Sequence, residues 1–175
     1  MKRAFLALTA CVSAVCASSA ATAVGYCVVD LGTLGGPDGQ AWAINERGQV
    51  VGWANPSDDG PFAGGRFAFL YDHGSMIDLG TLGGEYSEAH GINDRGHVTG
   101  VSGLPDGTEH AFLYADGEMV DLNDRIEPGN GWILIEAWEI GAQGQIVGFG
   151  TKDGLGRGFI LAPAPREAAC RGQLN

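Results

Sequence analysis

Basic residues are scarce in this chain: ten Lys and Arg stand against 21 Asp and Glu, a net charge of -11 over 175 residues. With no cluster to neutralise phosphates, nucleic acid and anionic membrane surfaces are poor candidate partners. Long apolar runs are missing too. The run at residues 4–15 falls short of the roughly 20 residues a span requires, so membrane insertion of the mature chain is not expected. No stretch carries an amphipathic helical period, which argues against a helical bundle. Nucleophilic catalysis lacks its signatures, since there is no Gly-x-Ser-x-Gly elbow and no cysteine spaced with a histidine. His73, His90, His97 and His110 fall at unrelated positions without ligand spacing, so no cofactor or metal is expected. The acidic turns Asp58-Asp59-Gly60, Asp106-Gly107 and Asp153-Gly154 leave surface calcium as an alternative to the preferred reading, solvated turns.

Cysteine is sparse, and its placement is informative. Lys2-Arg3, the apolar run behind it and Ala21-Thr22-Ala23 form a secretory signal pattern over 1–23, with cleavage after Ala23. The product is then secreted or periplasmic. Leu8-Thr9-Ala10-Cys11 offers a rival reading as a lipobox. Cys11 and Cys16 leave with the signal, whereas Cys27 and Cys170 stand near the two ends of the mature chain. In an exported protein they suggest one disulfide, worth about 4–5 kcal/mol in the chain-entropy model; two unpaired thiols are the alternative.

What the chain has in abundance is glycine, thirty residues of it, placed at turns between short apolar runs. Asp30-Leu31-Gly32-Thr33-Leu34-Gly35-Gly36 returns letter for letter at 78–84, which marks an internal repeat. A hairpin pattern begins at Ala41-Trp42-Ala43-Ile44-Asn45 and recurs from Ala89 and from Ala137, offset by 48 residues each time. Trp42 and Ile44 alternate with small neighbours, the period of a strand. Third strands follow at Phe67-Ala68-Phe69, His110-Ala111-Phe112 and Arg157-Gly158-Phe159, and fourth strands at Met76-Ile77-Asp78 and Met119-Val120-Asp121. The expectation is an all-β, propeller-like array of three four-stranded antiparallel repeats.

The units fall at about 40–79, 88–122 and 136–163 within a repeat domain spanning 24–163, followed by a tail, 164–175. The first two units have four strands, whereas the last has three. An orphan strand, Val28-Val29-Asp30-Leu31, stands at the front. It is expected to complete the last unit, so that 27–31 belongs with 136–163 and Cys27 comes toward Cys170. Three units are few for a propeller, which usually has four to eight blades. A tight monomeric ring is preferred, ahead of a strand-swapped dimer with six units or an open array.

These motifs together, with His-Ala-Phe intact at His110-Ala111-Phe112, resemble the extracellular HAF repeat family of bacterial exported proteins. The resemblance covers most of the mature chain, from Val28 to about Pro163. It implies a propeller-like array of uncharacterised role and brings no catalytic residues to transfer.

The residues that invite a functional reading are the column Trp42, His90 and Trp138 and the loop residues Asp58, Phe62 and Asp106. The column could line a binding surface by stacking on sugar rings, although inter-unit packing is the preferred role of repeated large side chains. Recurring Asp30, Asp78 and Asp121 most simply accept hydrogen bonds from the following turns. The resulting expectation is an exported, non-enzymatic module that binds a surface, glycan or protein partner through its loops. The alternative is an extracellular carbohydrate-active hydrolase or lyase using acidic residues from neighbouring units.

Overall fold

The structure, a computed structural model, describes residues 25–57 and 64–163. The expected signal segment with Ala23, the loop residues Asp58 and Phe62, and the tail with Cys170 lie outside the described residues. The chain divides into a leading unit ending at Asp30 and a main unit from Leu31 onward. In the leading unit the described residues 25–30 carry no regular structure, and Tyr26 and Val28 are exposed.

The main unit is all-β, in three antiparallel sheets that follow one another along the chain. The first contains β1 (Gly35–Ile44), β2 (Val50–Pro56), β3 (Phe67–Asp72) and β4 (Ser75–Asp78). β5 (Ser87–Ile92), β6 (Val98–Gly103), β7 (Glu109–Ala115) and β8 (Glu118–Asp121) make the second. A short 3-10 turn, Leu122–Arg125, leads to the third, formed by β9 (Trp132–Ile140), β10 (Ile146–Lys152) and β11 (Leu155–Leu161). Every neighbouring pair within a sheet is consecutive in sequence, as hairpin chemistry dictates.

The turns explain this order. His73-Gly74, Asp116-Gly117 and Asp153-Gly154 each place both residues at positive φ, the two-residue turn whose twist matches that of the flanking strands. Between first and second strands the turn is held by an asparagine. The Asn45 Oδ1 accepts from the backbone amides of Arg47 at 3.1 Å and Gln49 at 3.0 Å, and Asn93 does the same for Arg95 and His97. The repeated heptad also folds alike twice: the Thr33 hydroxyl accepts from Gly35 N and donates to Gly36 O, and Thr81 repeats this with Gly83 and Gly84. Asp78 and Asp121 accept from the amides of Gly80 and Asn123, the role expected of them.

Two expectations need correction. Residues 28–31 form no strand, and among the described residues the third sheet has three strands where four were expected. The physical reason is connection: the equally short β4 and β8 are each held to the preceding strand by a two-residue turn. Residues 28–31 have no such turn to a neighbouring strand and could join the third sheet only by closing a loop around the whole array, at an entropic cost that two inward side chains do not offset. Strict alternation in the first strands is also broken. The register slips between Ala41 and Ala43, between Ala89 and Gly91, and between Glu139 and Ala137, so that Trp42, His90 and Trp138 are each the extra residue of a β-bulge. The bulge puts Ala89 and Ile92, three residues apart, into one core.

That core lies between sheets. Val51 and Ala68 of the first sheet meet Ala89, Ile92, Val98 and Phe112 of the second. Ala111 of the second then meets Leu134, Ala137, Ile140, Ile146 and Phe159 of the third. Three units thus generate two cores, and each sheet is stabilised chiefly by its neighbours. Ser87 adds a buried polar staple at the first junction: its amide donates to Arg66 O, its hydroxyl donates to Gly80 O at 2.6 Å and accepts from Ala68 N at 2.9 Å. No helix among the described residues is long and apolar enough to cross a membrane.

Candidate functional site

The first strand of each unit carries the features that repeat without being consumed by the core. Because a bulge re-aims the extra side chain, Trp42, His90 and Trp138 leave the strand face that Ala41, Ala89 and Ala137 share, which is packed at Ala89 and Ala137 and exposed at Ala41. Trp42 and Trp138 remain half-exposed, while His90 between them in unit order is buried. The Trp42 and His90 rings stack with centroids 4.9 Å apart at an interplanar angle of 33°. Gly91 lets the backbone of β9 approach: a Cβ there would lie 2.8 Å from Glu139 Cα and 2.9 Å from Trp138 O.

Carboxylates surround the imidazole. His90 Nε2 is 3.7 Å from Glu88 Oε2, and His90 Nδ1 is 3.4 Å from Glu136 Oε1. Neither nitrogen has a hydrogen-bond partner among the described residues, so the ring is held by packing between two acids and an indole. Glu88 itself receives Arg66 at 2.8 Å, and the Arg66 guanidinium lies 4.5 Å from the centre of the Trp53 ring. Burial first, then a hydrogen bond to Glu109, holds the Tyr86 phenol well above its ordinary pKa, with Glu88 and Glu136 adding to the effect. The hydroxyl therefore stays protonated as a donor.

Beyond the bulges the three turns converge on a shallow hollow of about 210 Å³, lined by Ile44, Asn45, Glu46 and their counterparts Ile92, Asn93, Asp94 and Ile140. Two of its lining residues, Asn45 and Asn93, belong to a ladder at the repeat offset. The Asn45 side-chain amide donates to Asn93 O at 3.0 Å, and that of Asn93 donates to Gly141 O at 3.3 Å. Asp94 is occupied as well, accepting from Glu46 N at 2.9 Å.

Of the loop candidates, Asp106 spends its carboxylate locally on the amide and hydroxyl of Thr108, at 2.9 and 2.6 Å. The Thr108 hydrogen bonds hold it below the ordinary carboxylate pKa. No group of three His, Cys, Asp or Glu side chains able to hold a metal occurs among the described residues. The structure thus brings Trp42 and His90 together, with Trp138 one sheet further on, and leaves Asp106 apart in a turn. The acids around His90 were missed in the sequence, although Glu88 and Glu136 are themselves one column at the 48-residue offset.

No protein-family profile, curated protein or solved structure matches this chain.

Proposed function

We propose that this chain is an exported, non-enzymatic recognition module, its three sheets following one another as blades of a propeller-like array, and that it binds a neutral glycan along the bulge column. The observation that carries this reading is the pair of half-exposed indoles, Trp42 and Trp138, presented by bulges on the first strands of the outer units. A β-bulge bends the strand and weakens the ladder, so an aromatic residue placed on one without entering the core serves something outside it. Indole faces suit the apolar faces of sugar rings, and Glu136 and Glu139 on β9 can accept hydrogen bonds from sugar hydroxyls. The net charge of -11 disfavours an anionic polysaccharide.

The same geometry supports binding over hydrolysis. Glycoside cleavage needs two carboxylates about 5–9.5 Å apart with the scissile bond between them. Between Glu88 and Glu136 the gap is filled by the His90 ring, and Asp121 is taken up by His110 at 2.5 Å and by Asn123.

Titration calorimetry against a panel of neutral and acidic polysaccharides tests the proposal. Neutral chains should bind saturably, and Trp42→Ala and Trp138→Ala should each weaken binding about fivefold, as loss of roughly 1 kcal/mol of aromatic contact requires, with circular dichroism showing both variants folded and only Trp42→Ala, which also loses its stack on His90, melting lower. Absence of saturable neutral-glycan binding, or binding indifferent to both substitutions, overturns it.

A further inference from the structure

Equivalent residues of the three units should have equivalent surroundings if the array were complete, and they do not. Ile92 and Ile140 are 6% and 4% exposed, each pressed against the sheet that precedes it, while Ile44 at the same position of the first unit is 68% exposed. The mirror-image asymmetry appears at the other end. Val51 and Thr99, on the second strands of the first two units, are fully buried, whereas their counterpart Val147 is 40% exposed. Phe149 and Ile160 beside it are exposed too, and Gly158 stands where Ala68 and Ala111 are buried under a following first strand. The main unit therefore ends in two apolar faces, one at each end, and each is the kind of surface that the other covers inside the chain.

We infer that two copies of this chain join head to tail, β1 of one copy docking on the β10–β11 face of the other as β5 docks on β2–β3 and β9 on β6–β7. The occupant is fixed by the internal junctions, since both show what this back face accepts: an Ala-x-x-Ile first strand with a bulge between them. Ala41 and Ile44 present that pair. The contact is heterologous, so two copies that each use both faces close into a ring of six sheets, within the usual four to eight of such arrays. The amide ladder stops at Gly141, which has no side chain to donate onward, so the contact between copies rests on the apolar column and should persist in high salt. The inference stands independently of the glycan reading, because it rests on the exposure of Ile44, Val147, Phe149 and Ile160 and not on Trp42 or Trp138.

The test is the mass in solution, by sedimentation velocity across the micromolar range, of the wild-type chain, Ile44→Asp and Val147→Asp. Both positions are exposed in the single chain, so circular dichroism should show both variants folded. Wild type should give the two-chain mass, and each variant should weaken association about tenfold or more, because docking would bury an unpaired carboxylate. Mixing the two variants should recover pairing through one junction, where the intact tail of the first meets the intact head of the second, so that the mixture associates more tightly than either variant alone. A single-chain mass at every concentration overturns the inference, including the case in which the chain's own termini cover these faces. So does a dimer that tolerates both substitutions, or a mixture that fails to associate.

Discussion

A methyl group added at Gly100 tests the architecture most directly. Gly100 is paired with Ala89 on one side and Phe112 on the other, and Gly52 and Gly148 hold the same column in the other units. A Cβ at Gly100 would overlap the Glu88 carbonyl oxygen and lie 2.8 Å from Phe112 Cε1. The carbonyl belongs to the bulged strand, so it can retreat only by giving up pairing between β5 and β6. Overpacking costs about 1–3 kcal/mol, and each net backbone hydrogen bond lost adds about 1 kcal/mol. Gly100→Ala should therefore destabilise by about 3 kcal/mol and lower the melting temperature by roughly 10 °C for a domain of this size. The control is Gly158→Ala, in which the nearest heavy atom to the new Cβ is Gly148 O at 3.8 Å, and the residue introduced is the one the other two units carry. It should be stabilising by about 0.5 kcal/mol through the unfolded chain. Urea melts followed by circular dichroism give both values. If Gly100→Ala melts within about 0.5 kcal/mol of wild type, the close approach of backbone at the bulge, and with it the placement of the whole column, is wrong.

Asn93→Ala removes two acceptor contacts within its turn and the donor to Gly141, and should destabilise by about 2 kcal/mol, with faster hydrogen exchange at Arg95 and His97. Ser87→Ala leaves Ala68 N and Gly80 O without their partner at a buried junction and should cost about 2 kcal/mol in the same melts. Thr108→Val deletes the hydroxyl donor, the largest cause of the lowered Asp106 pKa, so the carboxyl should titrate at higher pH, as read by carbon-detected NMR. In wild type the turn gains from the ionised Asp106 above the carboxylate's unfolded pKa and loses that gain as pH falls through its lowered folded pKa; in the variant the difference between these two values shrinks.

The hairpins were readable because their turn residues act locally. Asn45 and Asn93 with glycines three residues on, and His73-Gly74 and Asp116-Gly117, specify turns through their own backbone, whatever lies nearby. β1 begins earlier than the apolar pattern starts, because Gly35 to Gly39 pair with β2 through an irregular register that Gly and Pro residues do not announce. The bulge was hidden by its own residue types: Trp42 beside Ile44 imitates strand alternation, and only the spacing of Ala89 from Ile92 within one core betrays the inserted residue. Least legible was the difference between Ile44 and Ile92. Identical side chains in similar local sequence, each followed by Asn-x-Arg-Gly, differ more than tenfold in exposure, because burial here is decided by the neighbouring sheet, a long-range partner that no local pattern encodes.

The asparagine ladder gives the array a direction of growth. Asn93 both receives at its carbonyl and donates from its side chain, so another copy of the middle unit could be inserted before the third sheet with every rung kept. After the third sheet the next rung would start from Gly141, which offers an acceptor and no donor. Lengthening of such a gene by tandem duplication would therefore be tolerated internally and penalised at the end, leaving the last unit the most constant member of a lineage whose middle can expand.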